Sequence, residues 1–132
     1  MKRLWIAAIP SDKSMQDLSN FVKAYGIKNP VTNFHSTIID GYGDIGTNQE
    51  ISFDANPKHI ETWSVKNFKN LILIINCPEL IGIYKSFSKK IHNINNKEFI
   101  PHITLSYNSD QFISEIPPTI QFSKIIFTHS KA

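Results

Sequence analysis

Phe34-His35-Ser36-Thr37-Ile38 returns in near copy as Pro101-His102-Ile103-Thr104-Leu105, and this repetition decides how the 132-residue chain is read. Each copy is a His-x-Thr in a strand-forming run. Side chains two apart on a strand leave the same face, so His35 with Thr37, and His102 with Thr104, each present an imidazole beside a hydroxyl. The offset that carries His35 onto His102 also lays the first half on the second. A strand at 4–9, a helix at 14–25 and the motif strand at 34–39 match a strand at 71–76, a helix at 78–94 and the motif strand at 102–107. Duplicated units usually set equivalent residues about an approximate two-fold axis, so the motifs are expected to meet across a cleft. The fold class is therefore α/β of the α+β kind: duplicated strand-helix-strand units forming two pseudo-symmetric lobes around a central cleft. The length suits one domain, with halves at about 1–66 and 67–132.

Composition narrows the partners. An apolar content of 41% is ordinary for a globular protein, and no apolar run approaches the ~18 residues a membrane span needs. The start Met1-Lys2-Arg3 followed by an apolar run resembles a leader, but the run stops at Pro10-Ser11-Asp12-Lys13 and reads as a core strand. The single cysteine, Cys77, has no partner for an internal disulfide, which points to a reducing cytoplasm. A net charge of +3 and a pI near 9.0 favour an anionic ligand, yet the excess is too small and scattered for a groove that neutralises many phosphates.

Along the chain, Leu4-Trp5-Ile6-Ala7-Ala8-Ile9 alternates bulky and small residues, so Trp5 beside Ala7 either borders a cavity or fills the core. Ser14-Met15-Gln16-Asp17 is a helix start, followed by an apolar stripe of Met15, Leu18, Phe21, Val22 and Tyr25 and a stop at Gly26. Gly41-Tyr42-Gly43-Asp44-Ile45-Gly46 matches the dinucleotide fingerprint letter for letter. No helix is expected to follow it, so it reads as a flexible loop at the cleft mouth. Two short strands, 49–53 and 60–65, are expected around a turn at Asp54-Ala55-Asn56-Pro57. Trp63, in the second, either stacks on a base or sits on an exposed edge guarded by Lys66 and Lys69. The run Leu71-Ile72-Leu73-Ile74-Ile75 is a strand buried on both faces, and Pro78 opens a helix with Leu80, Tyr84, Phe87, Ile91 and Ile94 on its stripe. His59, His92 and His129 lack a partner signature and stay outside the site.

Displacement at a phosphodiester needs a proton taken from the attacking oxygen and another given to the departing one. Two imidazoles meet that need near neutral pH without a metal, and two threonine hydroxyls can bond the non-bridging oxygens. A metal site is the alternative, but no third ligand accompanies the histidines. Serine and cysteine nucleophile motifs are absent.

Paired His35-Ser36-Thr37-Ile38 and His102-Ile103-Thr104-Leu105, one in each half of a small duplicated chain, resemble the 2H phosphoesterase superfamily. That superfamily includes RNA cyclic phosphodiesterases of the LigT type. The chain is more similar still to the phage group of anti-CBASS nucleases, which degrade cyclic oligonucleotide signals of bacterial immunity. The resemblance implies a catalytic set of His35, Thr37, His102 and Thr104, with Trp5 and Trp63 stacking on bases. Tyr107 is expected to join Trp5 and Trp63 in sandwiching bases near the histidines. The resemblance also implies no cofactor and no metal, a small cyclic nucleotide as substrate, no membrane or long nucleic acid as partner, and action in a host cytoplasm. The chain departs from the family pattern at Asp40 and the glycine-rich loop, where a basic turn is common, and at Thr128-His129-Ser130, where an acidic residue is common. Three readings remain: a cyclic-oligonucleotide phosphodiesterase, an RNA 2′,3′-cyclic phosphodiesterase, and a non-catalytic nucleotide-binding protein.

Overall fold

A computed structural model describes residues 2–93 and 98–130. In chain order the elements are β1 (Arg3–Pro10), α1 (Asp12–Ala24), β2 (Ser36–Tyr42), β3 (Gln49–Val65), β4 (Phe68–Asn76), α2 (Pro78–Ser88), β5 (His92–Asn93), β6 (His102–Ser106) and β7 (Ile120–Ser130). The strands form one sheet in the order β5-β2-β1-β7-β3-β4-β6, antiparallel at every pairing. The duplicated order is present as β1-α1-β2-β3 and β4-α2-β6-β7. The last strand of each half crosses over: β3 pairs with β4 of the second half, β7 pairs with β1 of the first, and β3 and β7 pair with each other between them.

Strand alternation sorts the side chains into two faces. Leu4, Ile6 and Ala8 of β1 and Leu71, Leu73 and Ile75 of β4 join the core with Leu18, Phe21 and Val22 of α1 and Leu80 of α2. The intervening residues Trp5, Ala7, Ile72 and Ile74 face the other way, toward the motifs. As its sequence suggests, the 71–75 run is buried on both faces, with no residue more than 6% exposed.

Several boundaries differ from the sequence reading, each for a local reason. Helix α1 is capped by Ser11, whose hydroxyl accepts from the Ser14 amide, while Ser14 is buried and its hydroxyl accepts from the Gln121 amide of β7 at 2.8 Å. The expected turn at 54–57 is instead continuous strand. Ala55 pairs with Ile120 and Asn56 with Asn76, so the chain changes partner where it was expected to reverse, and Pro57 is accommodated at a register break before His59. Helix α2 ends at Ser88, and His92, expected at its end, pairs with Tyr42 in β5. Ile94 and most of the polar loop expected at 93–97 lie outside the described residues.

The glycine-rich loop is followed by β3 and not by a helix, so it is no dinucleotide turn. Nor does it cover the cleft. It is fastened to the residue ahead of β1 and to β7: the Gly43 amide donates to the Lys2 carbonyl, the Phe127 amide donates to Asn48 Oδ1, and a His129 ring nitrogen lies 3.3 Å from the Ile45 carbonyl. Gly46, at φ +90°, lies so close to the Phe127 ring that a Cβ would overlap it.

The ends of the sheet are drawn together by a clasp. The Val31 amide donates to the Leu105 carbonyl at 2.9 Å, and the fully buried Ser106 hydroxyl lies 2.6 Å and 3.0 Å from the Lys28 and Asn29 carbonyls. It also accepts from the Asn108 amide. The segment leading into β2 is thus bonded to β6, at the far end of the sheet. Ser106→Ala removes the buried hydroxyl of the clasp and leaves a carbonyl short of a donor, so it is expected to lower unfolding free energy by about 1–3 kcal/mol. Urea denaturation followed by circular dichroism measures it, and an unchanged midpoint would mean that the clasp carries no weight.

Candidate active site

The motifs are positioned by matching bulges. In β2 the pairs Ile6 with Ile39 and Ala7 with Thr37 leave Ile38 unpaired; in β6 the pairs Leu71 with Ser106 and Ile72 with Thr104 leave Leu105 unpaired. Each bulge follows a motif threonine. An extra residue flips the alternation, so both sides of the bulge serve. Before it, histidine and threonine face the site. After it, Ile39 and Ser106 turn into the interior, where both are buried.

Thr37, His102 and Thr104 border one cleft of about 830 Å³, with Trp63 and Asp40 on its rim and Ile72 beneath. That volume lies within the usual range for small-molecule sites. His35 borders a smaller cavity of about 380 Å³ beside it, which it shares with Trp5. The two rings are held alike: His35 Nδ1 donates to the Asn33 carbonyl at 2.9 Å, and His102 Nδ1 to the Ile100 carbonyl at 2.7 Å. A carbonyl can only accept, so Nδ1 carries the proton in each and Nε2 is the nitrogen left for chemistry. Burial pushes the His102 pKa below the ordinary histidine value; its bond to Ile100 opposes this, and repulsion from His35 adds to it.

Each imidazole also touches a tryptophan. Trp5 meets His35 edge-on with ring centres 5.1 Å apart, and its indole N–H donates to Thr37 Oγ1 at 3.1 Å, leaving the Thr37 proton for another acceptor. Trp63 lies 4.5 Å from His102. Its indole N–H donates to Glu61 at 2.6 Å, and the other Glu61 oxygen bonds His59 Nε2, also at 2.6 Å. These bonds lower the Glu61 pKa, the one to Trp63 most and the one to His59 next. Sequence reasoning left His59 aside and did not raise Glu61. Their period-two spacing to Trp63 was the available signal. Tyr107 lies one residue past β6, 53% exposed, and borders neither cavity.

Asp40, a departure from the family pattern, is held by Arg3 through two bonds of 2.9 Å. The guanidinium offsets its charge at the rim, and the pair raises the Arg3 pKa. Cys77 is fully buried beside α2, and burial pushes its thiol pKa up, which suits structure and not nucleophilic attack. No helix among the described residues is long and apolar enough to cross a membrane.

A family model described as "Anti-CBASS protein Acb1" matches residues 2–131. Among solved structures, the chain is similar to the crystal structure of E. coli LigT complexed with 3′-AMP, with a TM-score of 0.58 and 15% identity, covering 99% of this chain and 89% of that one. At that identity the likeness shows a shared fold. No curated protein matches.

The shared electrostatics of the two rings can be read in solution. In NMR titrations His102 is expected to have its midpoint below the ordinary histidine value of about 6.5, and His35→Ala to raise it while leaving it depressed by burial. A His102 midpoint indifferent to His35→Ala would place the rings too far apart to share a phosphate.

Proposed function

Because the chain belongs to the Acb1 anti-CBASS family, we propose that it is a metal-independent phosphodiesterase that opens small cyclic oligonucleotides between His102 and His35. The observation that carries this reading is the pair of His-x-Thr strands whose two imidazoles are held alike by Nδ1–carbonyl bonds. A neutral base and a charged acid are what in-line displacement at phosphorus needs.

The roles follow from the environments. Burial favours the neutral form of His102, so its Nε2 takes the proton of the attacking hydroxyl as the new P–O bond forms. The opposite P–O bond breaks, and His35, as imidazolium, gives its Nε2 proton to the departing ribose oxygen. Thr37 and Thr104 donate to the non-bridging oxygens, where charge gathers. Trp63 offers a stacking face at the cleft rim, braced by Glu61. Binding alone has no use for a matched acid and base, so intact His and Thr in both motifs argue against the non-catalytic alternative.

The LigT-like fold keeps an RNA 2′,3′-cyclic phosphodiesterase as the runner-up, and a panel of cyclic di- and trinucleotides against cyclic-phosphate RNA ends separates the two. The cyclic oligonucleotides are expected to be the better substrates, with shallow salt dependence. RNA ends preferred with a steep salt slope would reverse the assignment.

Turnover is expected to survive EDTA and to follow a bell-shaped pH profile whose apparent values belong to the coupled histidine pair. Loss of activity on chelation, restored by zinc or manganese, would overturn the acid-base scheme. His35→Ala and His102→Ala should each reduce kcat by about 10²–10⁴-fold or more, the usual worth of a positioned acid or base. Thr37→Ala or Thr104→Ala should cost about 10²–10³-fold, the loss of one donor to the developing charge. A fully active His102→Ala protein is the result that would end the proposal.

A further inference from the structure

A row of three side chains on β3 ends against His102. His59, Glu61 and Trp63 alternate onto the site face and stand opposite Ile74, Ile72 and Asn70 of β4, while His102 of β6 stands opposite Ile74 from the other side. Trp63 and His102 are thus offset along β4 from Asn70 to Ile74, roughly 13 Å at ~3.3 Å per residue. Yet their ring centres are 4.5 Å apart. The indole therefore lies back along β3 toward its amino end, over Glu61, and the 2.6 Å bond from its N–H to Glu61 fastens it there. His59 holds the other carboxylate oxygen, also at 2.6 Å, which fixes the direction of the first. The first half lacks this arrangement. The matched bulges bring Ala7 into correspondence with Ile72, so Ile126 of β7 occupies the place of Glu61, and an isoleucine accepts nothing from an indole.

We propose that Glu61, fixed by His59, is a positioning residue for the general base: it holds the indole of Trp63 over His102 and so shields that imidazole from water. The inference rests on the phosphodiesterase reading above, which makes His102 the base, and adds what keeps the ring suited to that role. Burial is the largest cause lowering the His102 pKa, and the indole is part of what buries it. Glu61 acts through the indole and not by its own charge. Among the described residues, the titratable groups bordering His102 or its cleft are His59 and Glu61 on β3, His35 ahead of β2, Asp40 on β2, Glu98 ahead of β6 and Tyr84 on α2; of these, His35 is the one whose charge lowers the His102 pKa. Glu61 is exposed, where a single bond competes with water, and the joint geometry of three groups gives the row its hold. Its bonds to Trp63 and His59 lower the Glu61 pKa, so the carboxylate is lost only as pH falls through that depressed value and the brace persists where His102 titrates.

The test reads His102 directly and needs no substrate. Its NMR titration midpoint is compared in the wild type, Glu61→Ala, Glu61→Gln, Trp63→Ala and the double variant Glu61→Ala/Trp63→Ala. Both single alanine variants are expected to raise the midpoint toward the ordinary histidine value, with the melting temperature unchanged. The double variant should raise it no further than Trp63→Ala alone, because both changes remove one shield. Glu61→Gln keeps an oxygen that can accept from the indole and is expected to hold the midpoint near that of the wild type. With a cyclic diadenylate as substrate, the acid limb of kcat/KM should move to higher pH in Glu61→Ala, so that kcat/KM falls several-fold on that limb and by less above it. An unmoved midpoint in Glu61→Ala, a shift in Glu61→Gln as large as in Glu61→Ala, or shifts that add in the double variant overturn the brace and leave the phosphodiesterase reading intact. A wild-type protein that turns over no cyclic dinucleotide removes that reading, while the midpoints still decide whether Glu61 holds the indole over His102.

Discussion

A sheet whose ends are brought back toward each other is the constraint on which the site depends. The two motif strands are far apart in hydrogen-bonding order, with β1, β7, β3 and β4 between them. They share a site because residues 28–31, just ahead of the first motif, are bonded to the backbone and hydroxyl at the end of the second. Ser106 is suited to this: a buried hydroxyl needs partners, and here it lies against two carbonyls and accepts from an amide.

Within that frame the chemistry is set by small backbone irregularities. The bulges at Ile38 and Leu105 let each short strand serve a polar site before the bulge and an apolar core after it. The same scaffold then makes the halves unequal. Desolvation acts on His102, and the row His59, Glu61 and Trp63 braces only the second half. Two-fold geometry gives the two imidazoles matching backbone settings, and broken symmetry gives them different surroundings.

Much of this was legible in the sequence because it is periodic. The His-x-Thr repeat, the apolar run 71–75 and the stripe of α1 each follow from spacing, and the duplicated order is found in the structure. What the sequence hid is long-range. Asn56 and Pro57 are turn-forming residues locally, yet Ala55 is fully buried between partners and the strand runs through. Ser11 and Ser14 are equally good caps until Ser14 is claimed by β7. Spacing put the four motif residues on the outward faces of their strands, and in the structure Thr37, His102 and Thr104 border one cleft while His35 borders the cavity beside it. The Arg3–Asp40 pair was not legible, since it depends on two strands being brought into register around a bulge. The glycine-rich loop was misplaced because φ and the Phe127 ring, not a ligand, explain Gly46.

The exchange of last strands between the halves bears on how the molecule comes into being during synthesis. β1 forms near the start of the sequence, but one of its two neighbours is β7, with Ala8 paired to Ile125. Until that late strand leaves the ribosome, β1 presents an unpaired edge, and so does β3 along residues 49–55. Non-local pairing of this kind closes slowly and leaves strand edges open to other chains meanwhile. Neither half is a self-sufficient folding unit, so the duplication that built the site also ties its appearance to the last stretch of the chain.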